Sequence, residues 1–286
     1  MLLVADSGST KTDWRLVDDS GLVHQFRTSG INPVFHTRED IQGSLIKEHL
    51  IEFVIQHKEK VTDIHFYGAG CSGEEKKNRV HYALSDLFPE AVCTIEHDLL
   101  AAARALCGRQ AGIACILGTG SNSCYYDGAT IIQQTPSLGY ILGDEGSGAY
   151  LGKEILRRFI YGELPKELQD DFASTYQLSR EKVVEHVYRM PNANRFIASF
   201  VPFLLKHKNE PEIAQLVVKA LTDFVEHQLL PYRNQPVKQV HSTGSVGYYF
   251  MDFLKHACNR FDFSLGTVTE SPIAGLLLYH RENGVR

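Results

Sequence analysis

Three loops of this sequence are built mainly from Gly, Ser and Thr, the residue types best suited to holding a phosphate group. They occupy residues 7–12, 118–123 and 242–245, and each follows a short apolar segment. Glycine lets a ligand approach the backbone closely, and hydroxyl and N–H groups donate hydrogen bonds to phosphate oxygens. Because open α/β sheets bind ligands beyond the carboxyl ends of their strands, three such loops predict a phosphate site.

Two charged residues accompany the first loop. Asp6 ends the apolar segment before it, and Lys11 lies within it. A carboxylate beside a phosphate is suited to hold magnesium indirectly, and a lysine would offset phosphate charge. For this loop taken alone, a turn-capping Asp6 and a solvated Lys11 are equally good interpretations.

Two further groups of acids could act on a hydroxyl substrate. Asp98 follows His97 at the start of an Ala-rich helix, where it could be the general base for a hydroxyl nucleophile. Taken alone, helix capping is the favoured role for Asp98. Asp144 and Glu145 lie in the Gly-rich segment 143–148, where they would bind sugar hydroxyls or a hydrated metal. Capping of a helix with compensation of its dipole is the alternative. The three glycines within residues 143–148 are unusual for a cap and favour a functional loop.

Two known nucleotide-binding patterns can be tested against the glycines. A Walker A loop is excluded, because residues 148–154 have the wrong spacing and carry Glu154 where a magnesium-binding hydroxyl is required. Residues 68–73 fit G-x-G-x-x-G in full, and Glu96 and Asp98 lie roughly 20 residues further on, as in a dinucleotide site. This loop is not in the first βα unit and leaves the other glycine loops unexplained. A nicotinamide-dependent oxidoreductase is therefore an alternative hypothesis.

The elements that must position these residues begin with strands and then alternate strands with helices. Apolar segments and helical spacing predict strands at 2–5, 14–17, 22–28, 63–67, 92–95, 113–117, 124–126 and 237–241, and helices at 37–58, 74–87, 98–107, 211–227 and 271–281. This order indicates a mixed α/β sheet. Residues 162–211 show no strand pattern and are predicted to form a helical insertion.

The first two small-residue loops resemble each other. Each is followed by a strand and then by a turn containing Asp and Gly, and the offset from Gly8 to Gly120 is 112 residues. A repeat at this spacing suggests a duplicated domain. The length of 286 residues agrees, since it predicts about two domains.

Composition excludes several classes of protein. The formal net charge of -5 argues against a broad nucleic-acid surface, although backbone N–H groups can still bind phosphate. The six cysteines form no C-x-x-C pair, and no apolar run is long enough for a signal peptide or a membrane span. We expect a soluble cytoplasmic protein with reduced thiols. A homodimer is compatible with the sequence, which leaves the oligomeric state open.

Six segments together carry a family resemblance. They are D-S-G-S-T-K-T at 6–12, G-I-N-P at 30–33, H-D at 97–98, L-G-T-G-S-N-S at 117–123, G-D-E-G-S-G at 143–148 and T-G-S-V at 243–246. Their order and spacing resemble the sugar kinase, actin and chaperone ATPase superfamily. More closely, the chain resembles the N-acetylglucosamine kinase branch of the BadF/BadG/BcrA/BcrD ATPases, and the resemblance covers essentially the whole chain.

The resemblance implies an architecture. It implies an α/β protein of two ribonuclease H-like domains, with mixed sheets flanked by helices, an ATP cleft between the domains and a helical insertion in the second. The first domain would comprise residues 1–109 together with a C-terminal helix at 271–286. The second would comprise residues 110–270, with the insertion at about 162–211.

The resemblance also implies site residues, with ATP and Mg²⁺ as cofactors and an amino sugar as the other substrate. The residues that would hold the ATP phosphates from opposite sides are Gly8, Ser9, Thr10, Lys11, Thr12, Gly118, Thr119, Gly120 and Ser121. Asp6 would organise magnesium through water, and the residues meeting the adenosine would be Gly244, Ser245 and Gly275.

The sugar-binding residues that the resemblance implies are Asn32, Asp98, Gly139, Tyr140 and Asp144. Asp98 would be the catalytic base that accepts the proton of the sugar hydroxyl, and kinases of this type phosphorylate the 6-hydroxyl of N-acetylglucosamine. Tyr140 departs from the mammalian sugar kinases, which carry Trp there. An ATPase that activates a partner enzyme is a second alternative. It is disfavoured because the activators' cysteine arrangement and longer glycine motif are not evident.

Overall fold

Two mixed β-sheets of five strands each organise the protein, seen here in a computed structural model that describes residues 1–8, 10–56 and 60–284. The sheets belong to two units. One unit comprises Met1–Gly108 and Pro272–Arg286, and the other comprises Arg109–Ser271. Within the described residues, none of the helices has the length and hydropathy that a membrane span requires.

The first unit places its three parallel strands side by side. Its elements are β1 (Leu2–Ser7), β2 (Lys11–Val17), β3 (Val23–Ser29), α1 (Arg38–Lys47), α2 (Leu50–Ile55), β4 (Asp63–Gly68), α3 (Glu74–Leu87), β5 (Val92–His97), α4 (Asp98–Cys107) and a C-terminal helix (Ile273–Gly284). The strand order is β3-β2-β1-β4-β5. Strand β2 is antiparallel to β1 and β3, whereas β4 is parallel to β1 and β5. The mixed sheet that the element order predicted is confirmed.

The helix predicted over residues 37–58 is divided in two. It begins as expected, because Thr37 and Asp40 form a capping box in which each side chain accepts the other's backbone N–H. It is interrupted at His49, which has a left-handed φ of 63°, a conformation that sequence spacing does not reveal. Residues 57 and 58 of that prediction lie outside the described residues.

The core of the first unit is built on the apolar face of its sheet. Trp14 of β2 is fully buried, and its ring centroid lies 6.0 Å from that of Phe66 on β4. Its indole N–H donates to the Thr28 hydroxyl at 2.9 Å, so the ring is buried without an unsatisfied donor. Leu3 and Leu16 complete this face and are fully buried. This packing fixes the hairpin from which the first loop projects.

The second unit repeats this strand plan and adds helices. Its elements are β6 (Gly112–Leu117), β7 (Ser121–Tyr126), β8 (Ile131–Gln134), α5 (Gly139–Leu142), α6 (Gly148–Tyr161), α7 (Lys166–Tyr176), α8 (Arg180–Tyr188), α9 (Ala193–Ala198), α10 (Val201–Lys206), α11 (Pro211–Phe224), a π-helical turn (Val225–Leu229), a 3₁₀ turn (Leu230–Tyr232), β9 (Gln239–Thr243), α12 (Ser245–Tyr249), α13 (Met251–Asn259) and β10 (Ser264–Thr269). The strand order is β10-β9-β6-β7-β8, with β9 parallel to β6 and β10 and β7 antiparallel to β6 and β8.

Helices α7 to α10 occupy the segment predicted to be a helical insertion. They share one core with α6, α11 and the sheet. At its centre, the ring of Phe172 lies 4.9 Å from that of Phe203 and 5.6 Å from that of Phe200, centroid to centroid. Strands β8 and β10 were not predicted, since neither has a continuous apolar run.

Candidate active site

The parallel strands of the first sheet bring two predicted acids to one edge. Asp6 on β1 is in register with Tyr67 on β4 and Glu96 on β5, and Ser7 is in register with Gly68 and His97. Asp98 follows His97 directly, so Asp6 and Asp98 both lie at the carboxyl edge of the sheet. Their charges interact, because the negative charge of Asp98 raises the pKa of Asp6.

Asp6 is a carboxyl group that the surrounding protein does not favour in its charged form. Burial first, and then the negative charges of Asp98 and Asp13, raise its pKa to about 7, with Lys11 acting in the opposite direction. A bound cation would relieve this cost. Magnesium keeps several of its waters when proteins bind it and is held by one or two carboxylates plus phosphates, so Asp6 fits the role of holding it indirectly.

Asp13 is a candidate site residue that the sequence reasoning missed. It lies opposite Asp6 in the β1–β2 pair and is 4% exposed. Lys11 Nζ lies 3.0 Å from Asp13 Oδ2, and Arg27 Nε donates to Oδ1 at 2.9 Å. Although burial alone would raise it, these two partners hold the pKa of Asp13 below its usual value. The signal was the two-residue spacing of Lys11 and Asp13, which puts them on one face of a strand.

The first loop closes as a tight hairpin. Gly8 is exposed, and its N–H donates to the Lys11 carbonyl at 3.0 Å. Thr10 is also exposed, and its carbonyl accepts a hydrogen bond from the N–H of Gly30 at 3.1 Å. Ser9, predicted to bind phosphate, lies outside the described residues.

Thr12 is placed differently from the rest of the predicted phosphate loop. It is fully buried in β2, where its hydroxyl donates to the Ser29 carbonyl at 3.0 Å and lies 2.8 Å from the Ser7 hydroxyl. Ser7 in turn accepts from the N–H of Ile31 at 2.9 Å and donates to its carbonyl at 3.0 Å. Thr12 and Ser7 therefore tie the first loop to the segment that carries Asn32.

Asp98 does not cap its helix. The cap is His97, whose Nδ1 accepts from the N–H of Leu100 at 3.3 Å. Asp98 is the first residue of α4 and is half-buried, and its Oδ1 accepts from the N–H of Leu99 at 2.9 Å. Burial raises the pKa of Asp98, while His97 and the N–H of Leu99 act in the opposite direction. A carboxyl group with a raised pKa is a stronger base once it is ionised.

The G-x-G-x-x-G segment forms the turn from β4 to α3 and packs on the loop that carries Asn32. Gly68 ends β4, and Gly73 precedes the first residue of α3. At Gly70, whose φ is +80°, a Cβ would lie 2.2 Å from Asn32 Oδ1. Packing therefore accounts for this glycine, and the oxidoreductase alternative gains no support from it.

In the second unit, Asp144 lies against the second loop. Its carboxylate accepts hydrogen bonds from the N–H of Ser121 and the hydroxyl of Ser137, and burial raises its pKa. A Cβ at Gly120 would lie 2.9 Å from Asp144 Oδ2, so this glycine makes room for the carboxylate. Asp144 has a left-handed φ of 57°, a strained conformation of the kind often found at functional sites.

The helix that follows Asp144 is capped by Ser147, whose hydroxyl accepts from the N–H of Tyr150. The N–H groups of Gly148 and Ala149 donate to the carbonyls of Gly118 and Thr119 at 2.8 and 2.9 Å. The capping interpretation of Asp144 and Glu145 is thus wrong, since Ser147 is the cap and α6 is fastened to the second loop.

Gly139 and Tyr140 open the short helix α5. Tyr140 is half-buried against the core of the second unit, and its carbonyl accepts from Lys153 Nζ at 2.6 Å. Gly139 has a φ of +71°, and a Cβ there would have nothing within 4 Å. The space beside its Cα is therefore open, while its carbonyl accepts from the N–H of Gly143 at 2.8 Å.

Gly244 follows β9 and lies against the second loop. Strands β6 and β9 are parallel neighbours, so their carboxyl ends meet, and a Cβ at Gly244 would lie 2.4 Å from the Leu117 carbonyl oxygen. Ser245 is the first residue of α12. Within the described part of the chain, the buried hydroxyl oxygens of Ser121 and Ser242 have no hydrogen-bond partner, so the protein itself satisfies neither.

Gly275 belongs to the first unit, on the C-terminal helix. A Cβ there would lie 2.3 Å from the carbonyl oxygen of Ala105 on α4. The close packing of these two helices explains the glycine, and its contact with adenosine stays a prediction.

The cysteines have the character of buried thiols. Five are buried and Cys93 is half-buried. Burial raises the pKa of Cys71, Cys107 and Cys258 to about 12, which disfavours the reactive thiolate. No group of three or more His, Cys, Asp or Glu among the described residues could hold a metal ion.

Comparisons with known proteins relate the chain to sugar kinases. No protein-family model matches the chain. N-acetyl-D-glucosamine kinase of Dictyostelium discoideum is 28% identical over 167 residues, which span 54% of this chain and 52% of that protein, about half its length. A crystal structure from Chromobacterium violaceum, provisionally named an N-acetylglucosamine kinase, covers 97% of this chain and 98% of its own at 19% identity, with a TM-score of 0.68, and shows the fold alone.

A further crystal structure extends the likeness to the sequence. It is of a provisionally named N-acetylglucosamine kinase from Porphyromonas gingivalis, and it matches with a TM-score of 0.94 and 40% identity over 100% of both chains. The two mixed sheets have the two-domain sugar-kinase fold that the resemblance implied. Identity at this level over the full length shows that the chain belongs to the N-acetylglucosamine kinase-like family of sugar kinases.

Proposed function

We propose that this protein transfers the γ-phosphoryl group of ATP to an amino sugar, at the 6-hydroxyl of N-acetylglucosamine, with Asp98 as the general base. The observation that carries the proposal is the placement of Asp98. It is half-buried at the start of α4, burial raises its pKa, and it shares the carboxyl edge of one sheet with Asp6 and the first loop.

Asp98 would accept the proton of the sugar hydroxyl as that oxygen attacks the γ-phosphorus. The first turn of α4 favours the ionised carboxylate, since the N–H of Leu99 donates to it. Asp6 would hold magnesium through water, and the metal would neutralise charge on the phosphates. Phosphoryl transfer depends on positioning and charge more than on covalent chemistry, and these residues supply both.

The small-residue loops would hold the phosphates. In the first unit, Gly8, Ser9, Thr10 and Lys11 would do so, with Thr12 supporting the hairpin rather than donating its buried hydroxyl. In the second unit, the residues would be Gly118, Thr119, Gly120 and Ser121. The hydroxyl of Ser121 supports this assignment, because it is buried without a partner among the described residues.

The sugar-binding residues would be Asn32 and Asp98 in the first unit and Gly139, Tyr140 and Asp144 in the second. Asp144 accepts a hydrogen bond from Ser121, so a proposed sugar-binding side chain contacts a proposed phosphate-binding loop directly. Gly244 and Ser245 would meet the adenosine, since Gly244 lies against the end of the second loop. Gly275 would contribute through the C-terminal helix.

A panel of three amino sugars, with glucose as the sugar that lacks an amino group, tests the proposal at fixed ATP. Release of ADP should be stimulated by N-acetylglucosamine more than by N-acetylmuramate, glucosamine or glucose. A stronger response to another sugar would replace the proposed acceptor and leave the kinase activity standing. If no sugar stimulates ADP release while ATP still binds, the kinase proposal fails.

A further inference from the structure

The glycine turn at residues 68–73 has no part in the proposed chemistry. One of its glycines, however, packs so closely against a proposed sugar-binding residue that no side chain fits there. A Cβ at Gly70 would lie 2.2 Å from Asn32 Oδ1, 3.0 Å from Asn32 Cγ and 3.0 Å from Val34 Cγ2. Real Cβ contacts are not this short, so any side chain at residue 70 must displace Asn32 or Val34. Gly73 has a similar φ of +85°, but a Cβ there would have nothing within 4 Å.

Asn32 is held in one orientation by its own turn. Its Oδ1 accepts from the N–H of Val34 at 3.0 Å, and its backbone N–H donates to Nδ1 of His36 at 3.3 Å. Its carbonyl accepts from the N–H groups of Phe35 and His36, both at 3.0 Å. The bond from Val34 orients the amide through Oδ1, and its NH₂ group carries the two donors that can meet a sugar oxygen.

Helix α3 braces the same turn from a second direction. Arg79 Nη1 donates to the Pro33 carbonyl at 2.7 Å, and Nη2 donates to Glu75 Oε1 at 3.0 Å. The Arg79 side chain is 31% exposed, whereas that of Glu75 is 85% exposed. The bond to Pro33 is therefore the more sheltered of the two, and it fixes the backbone next to Asn32.

We propose that Gly70 and Arg79 are positioning residues for sugar recognition: together they fix the Asn32 amide so that its NH₂ group donates to an oxygen of the acceptor sugar. This inference rests on the proposed function, since it takes Asn32 as a sugar-binding residue. It gives the G-x-G-x-x-G segment a role in acceptor binding without any nucleotide on that loop.

A pair of alanine variants at two glycines of this turn, both with positive φ, tests the inference. Gly70→Ala should lower kcat/KM for N-acetylglucosamine by about 10- to 100-fold, because a misplacement of about 1 Å can cost that much. The effect should lie in the KM for the sugar, with the KM for ATP unchanged. Gly73→Ala also places a side chain at positive φ, here with ψ 150°, but with no neighbour within 4 Å, and its KM for the sugar should stay within about threefold of the wild type.

A double-mutant cycle separates positioning from general damage to the fold. In an Asn32→Ala background the Asn32 amide atoms that meet the new Cβ are gone and only Val34 Cγ2 remains at 3.0 Å, so Gly70→Ala should add little to the KM for the sugar. Arg79→Met should raise the KM for the sugar without changing that for ATP. Glu75→Gln, which alters only the exposed partner of Arg79, should leave both unchanged.

The outcomes distinguish this inference from the proposed function. Equal effects of Gly70→Ala and Gly73→Ala, or additivity with Asn32→Ala, would overturn the positioning role in an active kinase. If Gly70→Ala does not fold, Arg79→Met and Glu75→Gln provide the test. The inference then requires that Arg79→Met raises the KM for the sugar but not the KM for ATP, and that Glu75→Gln changes neither. A wild type that phosphorylates no amino sugar would overturn the proposed function, and this inference with it.

Discussion

The β1–β2 hairpin of the first unit and the β6–β7 hairpin of the second have the same place in their sheets. Each joins the central strand to an antiparallel neighbour, and each central strand has a parallel neighbour on its other side, so both sheets follow one strand order. The similarity of the two loops in sequence is thus matched by topology, as a duplicated domain requires. What the hairpins carry, however, is different.

The first hairpin is charged and the second is not. Asp6, Lys11 and Asp13 lie on the paired strands β1 and β2, whereas residues 117–126 contain no charged side chain. The acid beside the second loop lies outside the β6–β7 hairpin: it is Asp144, which accepts from the N–H of Ser121. Under the proposed function, the first unit would therefore handle magnesium and the proton, while the second would contribute mainly neutral hydrogen-bond donors.

The largest effect is expected at the acid next to the charged hairpin. Asp98→Asn keeps the size of the side chain but removes the base, so kcat should fall by about 100- to 10,000-fold. Sugar binding measured by calorimetry should change much less. Turnover near that of the wild type would remove the base role of Asp98 and weaken the assignment of chemistry to the first unit.

Asp6→Asn should have the next largest effect. A residue that orients a metal through its waters contributes about 10- to 100-fold to metal affinity or activity. The measurement is the magnesium concentration that gives half-maximal rate, which should rise in the variant. Ser121→Ala, in the uncharged hairpin, is the control, and it should leave the magnesium dependence unchanged. A similar magnesium response in both variants would contradict the division of roles.

The glycines of the two hairpins should respond differently to alanine. The nearest atom to a Cβ at Gly8 is the Lys11 carbonyl oxygen at 3.8 Å, whereas a Cβ at Gly120 lies 2.9 Å from Asp144 Oδ2. Gly120→Ala should therefore cost about 1–3 kcal/mol of unfolding free energy through overpacking. Gly8→Ala should leave the melting temperature unchanged and raise the KM for ATP. Thermal unfolding and steady-state kinetics together check both, and a destabilised Gly8→Ala would contradict the open loop.

A last effect is expected on stability as a function of pH. Because the pKa of Asp6 is raised to about 7 in the folded protein, the native state keeps a proton that the unfolded chain releases at lower pH. Stability should therefore fall as pH rises from about 4 to about 7. Without magnesium, Asp6→Asn should melt at a higher temperature than the wild type at pH 8, and the difference should shrink toward pH 4. A constant difference would contradict the raised pKa.

Features that depend on local sequence could be predicted. The capping box of Thr37 and Asp40 marks a helix start, and the apolar segment before Asp6 is a buried strand. Strand β10 could not be predicted, because its residues 264–269 include only two large apolar side chains. Its Gly266 lies against the ring of His241 on β9, and its register with β9 shifts between Leu265 and Val268.

The candidate site shows the same limit. Asp6, Asp98 and Asp144 could be found because each stands in a recognisable motif. Asp13 is marked in the sequence only by its two-residue spacing from Lys11, and its meaning depends on Arg27 lying opposite it across β2 and β3. Thr12 matches the motif, but its hydroxyl is committed to Ser29 and Ser7. Motifs thus identify the loops, while pairing between strands decides which of their side chains face a ligand.

In the proposed reaction, the acids at the carboxyl edge of the first sheet activate a sugar hydroxyl to accept the γ-phosphoryl group of ATP. A reaction of the wild-type protein with ATP, magnesium and N-acetylglucosamine, followed by ³¹P NMR, tests this directly. We predict a single new phosphomonoester, coupled to the protons on carbon 6, that accumulates as fast as ADP. Formation of ADP and inorganic phosphate with the sugar unchanged would contradict it.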